Sequence, residues 1–445
     1  MLEAAINFPN NDAAICWSSA GERSSITYSE LSKRSELFAK GLSTLGYDRN
    51  SIIAIETQNT PEWMIATLGT QIAGFVPLHF SFGKETGSTG LAKAVPWTHR
   101  NLLLKGFAFH KLLQVESGDT FFSYAPFGWQ GSYSITITAV CLGATVVTLT
   151  DIRKLKSVEE INSMTLRVLN TDNCVSAVLL TPAIFDLVKQ ENIRCQSFPL
   201  RVVCTIGLPV DSICSHIIGK KAEKFAVGYG STEVGLLCAI SVNSSKDYEN
   251  YAVGKPIPGT EVKILNDKGL IVPRGTSGEI YARTRDHFLG YLNAKEKIGI
   301  CYDETGWYKT DDVGVMKPDG SVVVTGRKSD MMIIAGDLVS PSYLEDILKE
   351  HDAVANAFVQ PIYDQGTFEQ ACAAIVFRSG KSATEEELKS FIKDKRGRYA
   401  EGFLATRQVP KNVLFFDWFP TTSSGKIDRK ALAAAIRQRL ELKQK

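Results

Sequence analysis

Short apolar runs alternate with amphipathic segments along most of the chain, a pattern that predicts alternating strands and helices of an α/β fold. Over 29–45, Leu31, Leu37, Phe38, Leu42 and Leu45 recur at helical spacing and Gly46 follows as a stop, which predicts a helix. Residues 51–56 (SIIAIE) read as the next strand, and 61–73 as a helix with Pro61 in its first turn. Buried strands are predicted at 177–180 and 201–205. Between 121 and 150 there is no charged residue. Pro126, Gly128, Gly131, Gly143 and several Thr interrupt that stretch, and the apolar–polar alternation at 134–138 also suits half-buried structure, so it predicts a buried strand–helix unit rather than a membrane span. From 253 to 325 the texture changes to short strands with Gly and Pro turns, a β-rich subdomain. After Arg327 a compact α+β pattern follows: a helix at 342–350, strands near 357–360 and 373–377, and a helix at 385–393. The expected organisation is therefore a large N-terminal domain of parallel and mixed sheets over 1–327 and a small C-terminal domain over 328–445, with the break at about 326–330.

Composition narrows the function classes. The chain has 445 residues, 44% of them apolar and 22% charged, values of a soluble globular protein and not of a disordered one. Fifty basic against 48 acidic residues leave no excess for a nucleic-acid backbone, so no nucleic-acid partner is expected. Nine Cys are scattered with no C-x-x-C pair, which points to free thiols in a reducing, intracellular compartment. The N-terminus lacks the basic flank and apolar run of a signal peptide, and the C-terminus is not Ser-Lys-Leu. The cytoplasm is the expected location, with peroxisome and mitochondrion left as alternatives, and no transmembrane segment is expected.

Four segments carry candidate chemistry. In 86–93 (TGSTGLAK), Gly, hydroxyls and Lys93 in one short loop suit phosphate oxygens, because backbone N–H groups approach closely and the ammonium adds charge. The loop lacks the GK[ST] ending of a Walker A motif. In 228–233 (GYGSTE) a strand ends in Gly-aromatic-Gly, offering a flat ring to a nucleobase, hydroxyls to a phosphate and a carboxylate to Mg2+. In 306–312 (GWYKTDD), a carboxylate suits the vicinal hydroxyls of a ribose, and Arg327 lies fourteen residues beyond Asp312. In 420–429 (PTTSSGKIDR) a flexible Thr/Ser/Gly loop ends in Lys426. Taken singly, each of these is an ordinary turn, and Asp-Asp reads as a capping or solvated pair.

Their order and spacing together resemble the adenylate-forming superfamily of acyl-CoA synthetases, coumarate ligases, luciferases and peptide-synthetase adenylation domains. The segments VGKPIPGTEVKI, VPRGTSGEIYAR, GYLN and GRKSDMMIIAGDLVSPSYLE fit the same pattern. The resemblance implies ATP-dependent activation of a carboxylic acid to acyl-AMP, with Mg2+, followed by transfer to coenzyme A, and a small mobile C-terminal domain. It implies that Ser88, Thr89, Gly90 and Lys93 hold phosphates, that Gly207, Leu208 and Pro209 lie against adenine, and that Gly228, Tyr229, Gly230 and Ser231 form the nucleotide turn with Tyr229 stacking on the base. Thr232 would touch phosphate and Glu233 would hold Mg2+. Asp312 would bind ribose with Arg327 beside it, and Lys426 would bridge the carboxylate and the α-phosphate. Ser329 falls at the hinge position, Gly336 at the approach of the thiol, and Trp129 at the gate of an acyl pocket, which favours an apolar acid. The match departs from the family at Glu85, Ala92, Ala94 and Asp311, the last standing where a Gly precedes the ribose carboxylate. Only residues 79–85 separate the Ala73–Leu78 segment from the phosphate loop, so about two strand–helix units, roughly 60 residues, are missing relative to the family. An adenylating enzyme of another kind, or a catalytically silent nucleotide- or acyl-binding module, are the competing expectations.

Overall fold

The computed structural model describes residues 2–80, 94–123, 125–150, 158–179, 199–206, 221–249, 251–285, 288–292, 301–328, 332–334, 337–339, 341–363, 369–394, 409–421 and 427–443. These fall into two compact units. The first comprises 1–276, 280–310 and 316–323, and the second 277–279, 311–315 and 324–445.

The first unit opens with helix α1 (Leu2–Asn7) and the antiparallel strands β1 (Asp12–Trp17) and β2 (Arg23–Thr27). Helix α2 (Tyr28–Ser43) starts where the Thr27 side chain accepts from the Glu30 N–H, the N-cap that Ser, Thr, Asp and Asn supply best. Strand β3 (Ile52–Glu56), helix α3 (Pro61–Ile72) and strand β4 (Val76–Phe80) follow, the first two within one residue of the expected bounds. Helices α2 and α3 meet at Gly69, where a Cβ would come within 2.8 Å of Phe38 and of the Ser35 carbonyl. Strands β3 and β4 form a separate two-stranded parallel pair, Ile52 opposite Val76. Parallel strands are normally covered on both faces. Here Ile52 (45% exposed), Ala54 and Val76 (44% exposed) leave one face in solvent.

Next come α4 (His99–Leu113), β5 (Thr120–Ser123), α5 (Gln130–Leu142), β6 (Thr145–Leu149), α6 (Val158–Thr171), β7 (Ser176–Leu179), β8 (Leu200–Ile206), β9 (Ala222–Ser231), β10 (Gly235–Val242) and β11 (Ala252–Pro256). The main sheet runs β2-β1-β6-β5-β7-β8-β9-β10-β11. Its six central strands, β1 to β9 in that order, are parallel, and the pairs at either end are antiparallel. The β-rich region adds β12 (Thr260–Leu265), β13 (Ser277–Thr284), β14 (Tyr308–Met316) and β15 (Val322–Arg327), whose Val322 and Val323 pair with β11.

The uncharged stretch 121–150 contains the expected buried strand and helix. The strand-like alternation at 134–138 nevertheless lies inside α5. Burial decides this: Ile135, Thr136, Ile137 and Thr138 are all buried, and Thr138 satisfies its hydroxyl on the Ser134 carbonyl at 2.6 Å, one turn back. Gly106 of α4 permits the close approach, because a Cβ there would strike Thr138 at 2.3 Å. No helix among the described residues is long and apolar enough to cross a membrane.

In the second unit, β16 (Met332–Ile334) and β17 (Asp337–Val339) form a hairpin. Helix α7 (Pro341–Lys349) leads to a three-stranded sheet of β18 (Val354–Tyr363), β19 (Glu369–Phe377) and β20 (Asn412–Phe415), with α8 (Glu385–Asp394) and α9 (Arg429–Lys443). Alternation along β19 divides the core. Ala371, Ala373 and Ile375 pack with Leu344, Leu348, Leu388 and Ile392, whereas Cys372 and Ala374 pack with Leu432 and Ile436. The chain thus has a large α/β part with a mixed sheet and a small α+β part, as the pattern predicted.

Candidate active site

Strand order locates the site. The chain steps from β5 to β6 on one side and then from β6 across to β7 on the other, so the sheet reverses direction at β5. In open α/β sheets, ligands sit beyond the carboxyl ends of strands at such a switch point. The segment leaving β5 here is 124–129, which ends at Trp129, the residue preceding α5. Trp129 is 37% exposed. Asn59 holds this segment from beneath. It is buried, its Nδ2 donates to the Ala125 carbonyl and the Thr148 hydroxyl at 3.0 Å each, and its Oδ1 accepts from the Phe127 N–H at 2.7 Å. Asn59→Ala removes all three of these buried hydrogen bonds, the acceptor of the Phe127 N–H among them, and is expected to cost about 1–3 kcal/mol, read as a lower urea midpoint at unchanged slope. A midpoint equal to the parent's would show that the bonds contribute nothing net.

Strand β8 ends at Ile206, the residue before the predicted Gly207, Leu208 and Pro209. Strand β9 carries Gly228, Tyr229, Gly230 and Ser231 at its own carboxyl end, and a tight turn at Thr232–Val234 returns the chain into β10. The glycines of this hairpin have packing reasons. A Cβ on Gly230 would lie 2.0 Å from the Gly235 carbonyl oxygen, and one on Gly228 would lie 2.9 Å from Leu236. Gly235 itself has φ +68°, the left-handed region. Tyr229 and Glu233 are half-buried and Thr232 is exposed.

Glu233 is engaged from outside the hairpin. Tyr291 donates its hydroxyl to Glu233 Oε1 at 2.8 Å, and Cys301 Sγ lies 4.0 Å from the same hydroxyl. Burial first, and then the Glu233 carboxylate, push the Tyr291 hydroxyl well above the usual phenol range, so it stays protonated and donates. Tyr308 is raised by burial and by the same carboxylate. The Trp97 indole N–H donates to the Thr232 carbonyl at 2.9 Å. None of these partners carries a local sequence signal. They lie 58 and 135 residues from their targets, and spacing predicts neither.

In the second unit, Asp312 and Arg327 are brought together as expected, with Arg327 Nε 3.0 Å from Asp312 Oδ1. Asp311 and Asp312 lie within β14 and not in a turn. Asp311 has φ +59°, which accounts for the glycine usual at this position: the backbone there is left-handed, and Asp is among the few side chains that tolerate it. Arg429 at the start of α9 donates to both oxygens of the buried Glu345, at 3.3 and 3.1 Å, and lies over the Phe358 ring. Just before it, Asp428 N–H donates to the Pro420 carbonyl at 2.8 Å and Thr421 bridges Ile427, closing the base of the predicted lysine loop. Ser88, Thr89, Gly90, Lys93, Gly207, Leu208, Pro209, Ser329, Gly336 and Lys426 lie outside the described residues. Among the described residues no group of three or more His, Cys, Asp or Glu is placed to hold a metal.

Comparison with known proteins identifies the family and the fold. The model of the AMP-binding enzyme family matches residues 2–82 and 86–292, and that of the AMP-binding enzyme C-terminal domain matches 343–426. The chain belongs to the AMP-binding enzyme family. It is 28% identical over 393 residues to a medium-chain fatty-acid–CoA ligase of Escherichia coli K12, covering 88% of this chain and 65% of that protein. It is 28% identical over 364 residues to 4-coumarate–CoA ligase 5 of Oryza sativa subsp. japonica, covering 79% of this chain and 65% of that one. The chain thus spans less than two thirds of the length of either relative. Among solved structures, O-succinylbenzoate coenzyme A synthetase of Bacillus subtilis with ATP and magnesium has a TM-score of 0.80 at 21% identity, over 97% of this chain and 98% of that chain. ATP-bound MatB of Rhodopseudomonas palustris has a TM-score of 0.81 at 17% identity, over 97% and 98%. These likenesses establish the fold.

Proposed function

We propose that this protein uses ATP to convert a carboxylic acid to an acyl-adenylate, releasing pyrophosphate, and then transfers the acyl group to coenzyme A. One observation carries the reading: Tyr229 and the Thr232–Glu233 turn lie at the carboxyl end of β9, and Trp129 ends the segment that follows β5, where the family pattern assigns the nucleotide turn and the acyl gate. In this reading Tyr229 stacks on adenine, Thr232 contacts phosphate, and Asp312 with Arg327 takes the ribose. A lone half-buried carboxylate fits Mg2+, which is held by one or two carboxylates together with substrate phosphates. Glu233 is that ligand, and when bound the ion neutralises charge on the triphosphate. Ser88, Thr89, Gly90 and Lys93 cradle the phosphates, Gly207–Pro209 border the base, and Lys426 sets its ammonium between the acid and the α-phosphate. The domain division falls at Arg327/Lys328, with Ser329 as hinge and Gly336 beside the incoming thiol, separating the two half-reactions by domain motion. Trp129 and the uncharged α5 favour a fatty or other apolar acid. The medium-chain relative supports the same class.

Purified protein should release pyrophosphate on some members of a panel of short, medium, long and aromatic acids, and coenzyme A should consume the acyl-adenylate. Acid-independent release, or an adenylate that coenzyme A leaves untouched, would rule out the reaction as written.

A second reading, a silent nucleotide- or acyl-binding module, is favoured by the region before the phosphate loop. The family match breaks between 82 and 86, and the β3–β4 pair exposes one apolar face. Two absent strand–helix units would leave such a face. Calorimetry separates the readings: ATP binding with no turnover on any acid supports the module.

A further inference from the structure

Residues 94–97, which follow Lys93 in the sequence, reach both halves of the nucleotide turn. Ala94, the next residue after Lys93, accepts at its carbonyl from the Leu292 N–H at 2.9 Å. The neighbour of Leu292 is Tyr291, which is 6% exposed and donates to Glu233 Oε1. Three residues after Ala94, Trp97 donates to the Thr232 carbonyl. Its ring, with the stem of Lys105, also fills the space beside Gly235, where a Cβ would meet Trp97 at 3.0 Å and Lys105 at 2.8 Å. Tyr291 is fixed in turn by an edge contact with Phe288, centroids 4.8 Å apart. One stem therefore clamps the turn twice, at the Thr232 backbone through Trp97 and at the Glu233 carboxylate through Leu292 and Tyr291.

Hydrogen bonds at this distance in sequence have consequences beyond packing. A carboxylate that must accept a metal ion in one orientation gains from a donor that fixes the rotamer beforehand, and partners of this kind typically contribute 10–100-fold to metal affinity. The Thr232 carbonyl is anchored similarly, so the side chain next to it inherits a fixed backbone.

We propose that Tyr291 and Trp97 are positioning residues that tie Glu233 and Thr232 to the stem of the phosphate loop, so that the metal-holding carboxylate and the phosphate contacts are set by one connected element. This rests on the reading of Glu233 as the Mg2+ ligand.

The test is calorimetric titration of the full chain with ATP, in excess Mg2+ and in EDTA, for the parent, Glu233→Gln, Tyr291→Phe and Trp97→Phe. Tyr291→Phe removes one hydroxyl. It should reduce the Mg2+-dependent gain in ATP affinity about tenfold while leaving the affinity in EDTA unchanged. Trp97→Phe keeps a ring in place and removes the donor, and should weaken ATP about fivefold in both conditions. A purely structural role would lower the thermal midpoint and affect both conditions alike in Tyr291→Phe. If Glu233→Gln abolishes the Mg2+-dependent gain and Tyr291→Phe retains it in full, the role of Tyr291 is overturned and the reading of Glu233 stands. If Trp97→Phe binds ATP as the parent does, the role of Trp97 is overturned. If Glu233→Gln keeps the gain, or the parent binds no ATP, the reading of the site fails and the positioning roles fall with it.

Discussion

Lys426→Ala is expected to lower acid-dependent pyrophosphate release by about 10²–10³-fold while ATP affinity changes far less, as happens when one donor aimed at developing transition-state charge is removed. The reasoning is differential. If the Ser88–Lys93 segment and a Glu233-held Mg2+ take the phosphates as proposed, one more ammonium would add little to ground-state binding. As the acid's oxygen bonds to the α-phosphorus and the bond to pyrophosphate breaks, negative charge shifts onto the α-phosphoryl oxygens and the leaving group, and a cation held against those oxygens matters most. The measurement is pyrophosphate release on saturating acid together with direct ATP titration. Equal release by variant and parent would remove Lys426 from the chemistry, and a parallel collapse of ATP affinity would make it a binding residue instead. Lys426→Arg keeps the charge but not the compact ammonium, and should restore only part of the rate.

The second large effect is on stability. Arg429→Ala leaves the Glu345 carboxylate buried (5% exposed) without its hydrogen-bonded cation, with only the weaker field of Lys349 remaining. Breaking a fully buried pair costs about 3–5 kcal/mol. Because Arg429 is itself half exposed, we expect about 2–3 kcal/mol at neutral pH. The loss has a direction in pH. Burial already raises the Glu345 pKa above the usual carboxylate range, with Arg429 and the Val359 N–H acting against that rise. Without Arg429 it rises further. A carboxyl whose folded pKa is raised is tolerated in the fold while it is neutral, so its contribution is retained at low pH and lost as pH rises through the folded value. The thermal deficit of Arg429→Ala should therefore be largest at about pH 8 and shrink towards pH 5. The double variant Glu345→Gln/Arg429→Ala should lose that pH dependence. A deficit flat in pH would show that the cost comes from lost packing on Phe358 and not from the unpaired charge. Arg429 follows directly on the Pro420–Asp428 and Thr421–Ile427 pairings.

Much of the fold was legible in the chain because it is written in local periods. The helical spacing of Leu31 and its neighbours, the buried runs that became β7 and β8, and the turn-punctuated strands after Val253 are patterns of 3.6 and 2 that read without tertiary information. The placement of one candidate motif was legible for a related reason. A Gly-aromatic-Gly-Ser-Thr-Glu string is a strand end followed by a turn, and the structure places it so. Where local pattern and burial disagreed, burial won. The Ile-Thr alternation at 134–138 suits a strand, yet it forms the middle of α5, because the segment is enclosed on all sides and its hydroxyls find carbonyls one turn back. The Asp-Asp pair read as a turn from composition, but it lies in β14, with Asp311 taking the left-handed backbone.

By itself, then, the sequence determined the element types, the two-part α/β and α+β organisation, the family, and which residues carry the candidate chemistry. Each of these depends on residues close together in the chain or on motifs with a fixed order. Tertiary structure alone decided which strand end forms the switch point beneath Trp129, that Asn59 supports that segment, and that Tyr291 and Trp97 reach Glu233 and Thr232. Those contacts join residues 58 to 135 positions apart. No local period encodes such pairings, because they follow from strand order, and strand order is set by how the apolar faces of the whole chain find one another.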